Sequence, residues 1–206
     1  MQSALNAIYA KSIRSFGPII QKYFNVNTSG ITALLDDIRF LTAGVKFILS
    51  MKELGFPMCC PAIAPVADKK CDLEEVYNPI LAEKLIEKTI ISNSFTFDEN
   101  GRFYLVTGPN HGGKSIFAYS VGMAQALFQL GLFVPAKSAV MSPVTGIYTH
   151  FPSSDENNYG KGRLESECAR LGSIIKQLTD TDMLIMEWQA MSGPRRCIPS
   201  TVCRFR

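Results

Sequence analysis

Apolar residues recur at spacings of three and four through the first fifty positions. They are Leu5, Ile8, Tyr9, Ile13, Phe16, Ile19, Ile20 and Tyr23, then Ile31, Leu34, Leu35, Ile38, Leu41, Val45, Ile48 and Leu49. That period predicts two amphipathic helices within residues 1–56. Gly17-Pro18 falls inside the first and is expected to kink it, Asn27-Thr28-Ser29-Gly30 offers caps between the two, and Gly55 and Pro57 end the second. Packing of a helical hairpin accounts for both stripes, and neither carries chemistry. Residues 57–70, with Pro57, Pro61 and Pro65, read as a linker.

From Cys71 the pattern shortens. Asp72 to Val76 is a candidate strand and Pro79 to Lys88 a short helix. Phe95-Thr96-Phe97 and Phe103 to Val106 flank Asp98-Glu99-Asn100-Gly101, which predicts a hairpin. Ile116, Phe117, Val121, Met123, Leu127, Phe128 and Leu130 make the next segment apolar nearly all round, as expected for a helix covering a parallel sheet, and Gly131 and Pro135 stop it. Gly146 to Phe151 is a further candidate strand, and residues 152–163 are a polar, glycine-containing loop. Cys168, Leu171, Ile174, Ile175 and Leu178 mark an amphipathic helix, and Met183 to Met186 a short buried strand.

One stretch organises these elements. Phe103 to Ser115 reads FYLVTGPNHGGKS and fits G-x-x-x-x-G-K-[ST] from Gly108, through Pro109, Asn110, His111, Gly112 and Gly113, to Lys114 and Ser115. Strand, glycine loop and helix in that order make a phosphate site. Glycines let main-chain N–H groups curl toward phosphate oxygens, and the helix N-terminus adds a favourable dipole. In this role Lys114 reaches the β- and γ-phosphates and the Ser115 hydroxyl holds Mg²⁺.

With 47% hydrophobic and 19% charged residues the 206-residue chain has an ordinary globular composition, long enough for one or two domains. No signal-peptide pattern opens it, and no apolar run approaches a membrane span. The six cysteines contain no C-x-x-C, so reduced thiols in the cytoplasm are expected. Arg195, Arg196, Arg204 and Arg206 carry the net charge of +3: without them 17 basic side chains face 18 acidic ones. Bulk charge therefore makes no case for nucleic acid.

Read with its neighbours, the loop resembles a known family. TGPNHGGKS, followed by GLFVPAKSA and GIYTHF, is similar to the ATPase domain of MutS-family DNA mismatch-repair proteins. YNPILAEK and IISNSFTF resemble the segments before its phosphate loop, and residues 1–56 resemble the end of its helical core. GKGRLESECARL is most similar to a branch of short bacterial MutS-related proteins. The resemblance implies an α/β fold: an incomplete P-loop NTPase (ABC-like) domain at 71–187, preceded by an α-helical segment. It implies an ATPase using ATP and Mg²⁺, a homodimer, and association with DNA through domains largely outside this chain. By the same resemblance Asn110 contacts the γ-phosphate. Residues 160–167, with Gly160 and Gly162, would reach across a dimer to the other subunit's ATP, completing the phosphate cage with backbone N–H groups.

Departures from the family pattern shape the expectations. Gly162 stands where many members have a phosphate-sensing Ser, and Ile90 where the repair proteins tend to place an aromatic for stacking on adenine. After the strand MLIM the family has Asp-Glu, for Mg²⁺ and for polarising water. Here Glu187 can serve Mg²⁺, and Trp188 cannot act as a base. Residues 188–206 match nothing in the family and are expected to be a disordered tail that supplies no strand. Reading from the third base of the Pro194 codon permits Glu-Ala-Leu-His-Thr-Ile-Tyr, similar to the family's next helix, so the tail is expected to be out of frame. Two alternatives to the ATPase are a nucleotide-binding product that does not hydrolyse and a small-molecule kinase. The kinase is disfavoured because only Arg163 and Arg170 lie within residues 136–187, too few for an arginine-rich lid.

Overall fold

The computed structural model describes residues 2–85, 90–99, 101–109, 112–151, 163–188 and 200–205. The chain divides into two units, Met1–Phe47 and Ile48–Arg206. A single helix, α1 (Gln2–Glu53), replaces the two helices expected, and it passes through Pro18. Proline removes only one intrahelical hydrogen bond, and the apolar stripe on both sides favours continuation over the local cap residues. In the first unit the stripe faces water: Ile13, Phe16, Ile19, Tyr23, Ile31 and Leu34 are all exposed.

The second unit begins with the last turns of α1, where Met51 is fully buried. The helix closes with Gly55 N donating to Lys52 O and Phe56 N to Met51 O, both at 3.0 Å. This is the bonding by which a glycine turn satisfies the last helical carbonyls. Two four-stranded sheets follow. The first has the order β1 (Ala62–Ile63), β5 (Ser138–Met141), β2 (Cys71–Val76), β3 (Asn93–Phe97). Here β2 is antiparallel to both its neighbours and β1 is parallel to β5. Within residues 57–70, expected to be a linker, Ala62–Ile63 thus form a sheet-edge strand. A two-residue strand at the sheet edge is short enough to fit between the prolines.

The second sheet has the order β4 (Phe103–Thr107), β8 (Ser200–Phe205), β7 (Met183–Trp188), β6 (Ile147–His150). Strands β6 and β7 are parallel, while β8 is antiparallel to both β7 and β4. Hence β4, β6 and β7 run in one direction and end on one side. The tail expected to be disordered supplies β8. Its Thr-Val-Cys-Arg-Phe run carries enough β-forming residues to pair where two strands would otherwise leave facing edges.

The expected hairpin around residues 98–101 is a corner between sheets. Asp98 and Gly101 make one isolated bridge, and then β3 and β4 part company. Aromatic packing outweighs the local turn signal there: Phe95 meets Phe97, Tyr104 and Phe117 edge to face, with ring centres 4.6, 4.6 and 5.6 Å apart.

Two short helices complete the frame, α2 (Pro79–Lys84) and α4 (Arg163–Gln177), together with the longer α3 (Lys114–Gln129). Asn78 caps α2 by accepting from Leu81 N at 3.1 Å. Helix α3 sends Ala118, Val121 and Ala124 into a core shared with Leu73 of β2, Phe95 and Phe97 of β3, Met141 of β5, and Met183 and Ile185 of β7. Each large apolar side chain so buried contributes about 1.5–3 kcal/mol. At Gly122 a Cβ would come within 2.8 Å of Ile185 Cδ1, so the missing side chain lets α3 lie close on β7. Helix and strand are thereby fixed where the loop between β4 and α3 opens.

Candidate phosphate-binding site

Strand β4 ends at Thr107, and the loop beginning at Gly108 leads into α3 at Lys114. Gly113 caps that helix with φ +81°, a left-handed conformation in which a Cβ is strained. Gly112 N donates to Pro109 O at 3.2 Å and Phe117 N to Gly113 O at 2.9 Å, so the loop closes on itself as the helix starts. Asn110 and His111 lie outside the described residues, as do Gly160 and Gly162.

Lys114 occupies the first position of α3 and is only 8% exposed. Its Nζ donates to Gly108 O at 2.9 Å and to Pro109 O at 2.6 Å. The ammonium thus lies inside the curve of the loop, solvated by main-chain carbonyls instead of water. One residue on, Ser115 Oγ donates to Glu187 Oε1 at 2.7 Å. Two positions chosen from sequence, 72 residues apart, therefore meet.

The sheet explains the meeting. Thr201 of β8 pairs with Val106 on one side and with Glu187 on the other. Glu187 is thus level with the end of β4, one strand away. Both stand at the C-terminal side of the parallel strands, where ligands gather in open α/β sheets.

His150 ends β6 opposite Met186 of β7 and is 1% exposed. Its Nδ1 accepts from Arg170 Nε at 3.0 Å, and a terminal N–H of Arg170 also donates to Phe151 O. Burial first, then the Arg170 charge, push the imidazole below its ordinary value; Glu167 opposes them. The Phe151 ring stacks on Tyr119 at 4.3 Å and 26°. Tyr119 lies one helical turn beyond Ser115, and burial together with the Glu187 charge raises its phenol. Ile90 is half-buried just ahead of β3. Sequence reasoning did not find Tyr119, His150, Phe151 or Arg170, which come together only through the packing of α3, β6 and α4.

The donor set has a definite chemistry. A hydroxyl and a carboxylate oxygen 2.7 Å apart are hard ligands of the kind magnesium takes beside water and phosphate oxygens. Among the described residues no cluster of three His, Cys, Asp or Glu side chains offers a metal site. A cation held here would draw its remaining ligands from solvent and a bound anion. No helix among the described residues is long and apolar enough to cross a membrane.

Fold and site define a mixed α/β domain with a glycine loop, a buried lysine and a hydroxyl–carboxylate pair at one end of its strands. Comparison with known proteins agrees: residues 104–189 match the family model described as MutS domain V. The chain is 28% identical over 172 residues to the DNA mismatch repair protein MutS of Prochlorococcus marinus strain MIT 9312, covering 82% of this chain and 19% of that protein. It is 32% identical over 162 residues to the protein of the same name from strain MIT 9301, covering 78% and 18%. The AS9601 strain protein is also 32% identical, over 164 residues. These findings support the MutS family, and the chain spans less than a fifth of the length of these relatives.

Proposed function

We propose that this chain is the ATP-binding module of a MutS-like, DNA-associated ATPase with a role in mismatch repair or a related DNA process. The observation that carries the reading is the Lys114 ammonium held inside the Gly108–Pro109 curve, one residue from the Ser115–Glu187 pair. In this reading the fold is of the P-loop type. Main-chain N–H groups of the loop's non-proline residues and the Lys114 ammonium grip the β- and γ-phosphates. The two carbonyls now holding Nζ keep the lysine extended along the loop, so little side-chain entropy remains to be lost on binding. Magnesium, when bound, neutralises phosphate charge; Ser115 and Glu187 orient it through their oxygens. Asn110 and His111 belong to the same loop, and Ile90 is assigned to the purine.

Gly160 and Gly162 are assigned to a segment that meets the nucleotide of a second copy, so that ATP binding favours a homodimer and, through domains beyond this chain, closure on DNA. The relatives' repair role supports that assignment of partner.

A second reading is favoured by Trp188, which follows Glu187 where a water-polarising carboxylate is expected: the chain binds nucleotide and does not hydrolyse it. ATP turnover, with and without DNA, separates the two when run beside a W188E variant and an E187D/W188E double variant. Background turnover in the wild type with a gain in the double variant supports the binding-only reading. Turnover in the wild type supports the ATPase, and background in all three removes Trp188 as the cause.

A further inference from the structure

Arg170 of helix α4 reaches the C-terminal end of the second sheet. Arg170 Nε donates to His150 Nδ1 at 3.0 Å, and the same guanidinium donates to Phe151 O. A guanidinium presents rigid, forked donors, so it can hold two acceptors in a fixed relation where a lysine cannot. His150 is buried, and removing Arg170 would leave its Nδ1 an acceptor without this donor, a costly state away from water. From Phe151 the contacts continue inward: its ring stacks on Tyr119 at 4.3 Å, Tyr119 lies four residues after Ser115 on α3, and Ser115 bonds Glu187. The series joins two hydrogen-bonded pairs and one stacked ring pair through the end of β6 and one turn of α3, and it ends on the two oxygens assigned to the cation.

We propose that Arg170 is a positioning residue for nucleotide binding: by fixing His150 and Phe151 at the end of β6, it holds the Phe151 ring on Tyr119 and so keeps Ser115 and Glu187 at bonding distance. The inference rests on the nucleotide-binding reading above. Arg170 acts through His150 and Phe151, the partners its guanidinium bonds. Its removal should therefore weaken magnesium-dependent binding more than magnesium-free binding, because the Ser115–Glu187 pair, and not Lys114, is what it supports.

The test is titration calorimetry of the whole chain with ATP, with and without magnesium, alongside urea unfolding of each variant. Arg170→Ala is expected to weaken Mg-ATP binding about tenfold, the lower end of the loss when an outer partner of a metal site is removed, with a smaller change for ATP alone. Arg170→Lys should behave like the alanine variant, since one ammonium cannot hold both acceptors. His150→Asn, which keeps an acceptor near Nδ1, should bind close to wild type, and the double variant R170A/H150L no worse than Arg170→Ala alone. Equal losses with and without magnesium, a full rescue by Arg170→Lys, or wild-type affinity in a destabilised Arg170→Ala would each overturn the positioning role. Wild-type protein that fails to bind ATP at all would overturn the site reading itself, and this inference with it.

Discussion

At the scale of single residues, the contrast between Lys114 and His150 shows what a linear motif reveals. Lys114 lies in a contiguous loop whose glycines and helix start are neighbours in sequence, and its Nζ bonds to Gly108 O and Pro109 O are local. His150 and Arg170 are 20 residues apart and meet only because α4 folds back on β6. Replacing Ser115 by Ala should leave the fold intact and remove the magnesium dependence of ATP affinity, which calorimetry reads directly. His150 supplies a pH dependence of stability. Its folded pKa is depressed by burial and by the Arg170 charge, so the unfolded chain takes up the proton first as pH falls. Stability is complete above the ordinary imidazole value of about 6.5 and declines below it. Urea midpoints measured across that range should fall in the wild type and fall less in His150→Asn.

At the scale of elements, the sequence was most informative where pattern and flanks agreed. The runs leading to β2, β6, β7, α3 and α4 were legible because apolar period and stop signals coincide there. It was least informative where tertiary pairing decides. Helix α1 passes its own cap-like residues because the stripe on both sides continues, and Asp98–Gly101 turns a corner because Phe95 finds Tyr104 and Phe117. Strand β5 and the two-residue β1 are too short for periodicity to register.

Strand β8 is the clearest case, since nothing near it in sequence announces that β4 and β7 stand ready on either side. Val202 pairs with Leu105 and with Met186, a central position. Proline there removes a ladder hydrogen bond and leaves its acceptor unpaired, which should cost about 1–3 kcal/mol, read as a lowered urea midpoint. The same variant should weaken ATP binding, because β8 sets the spacing of β4 from β7. Unchanged stability in Val202→Pro would contradict the observed pairing. Gly113→Ala, placing a Cβ at φ +81°, should cost about 1–2 kcal/mol and weaken ATP binding as the loop shifts.

At the scale of the molecule, the two units differ in what holds them. Ile48–Arg206 has a shared core drawn from both sheets and α3, whereas the helix up to Phe47 exposes Tyr9, Ile13, Phe16, Ile20 and Leu34. A helix whose large apolar side chains are exposed is marginal in water, because nucleation is costly and each added bond returns little. Amide exchange should therefore be faster over residues 30–47 than over Met183–Ile185. Equal protection in both would show that the first unit is stabilised by packing of its own.

In the proposed function, main-chain amides and the Lys114 ammonium grip a triphosphate. The direct measurement is calorimetry of folded protein with magnesium and ATP, comparing wild type with Lys114→Ala. Saturable binding weakened about 10- to 100-fold in the variant is expected, the range for lost bonds to a charged group. Absence of binding in the wild type, or equal affinity in both proteins with matched folding, would contradict it.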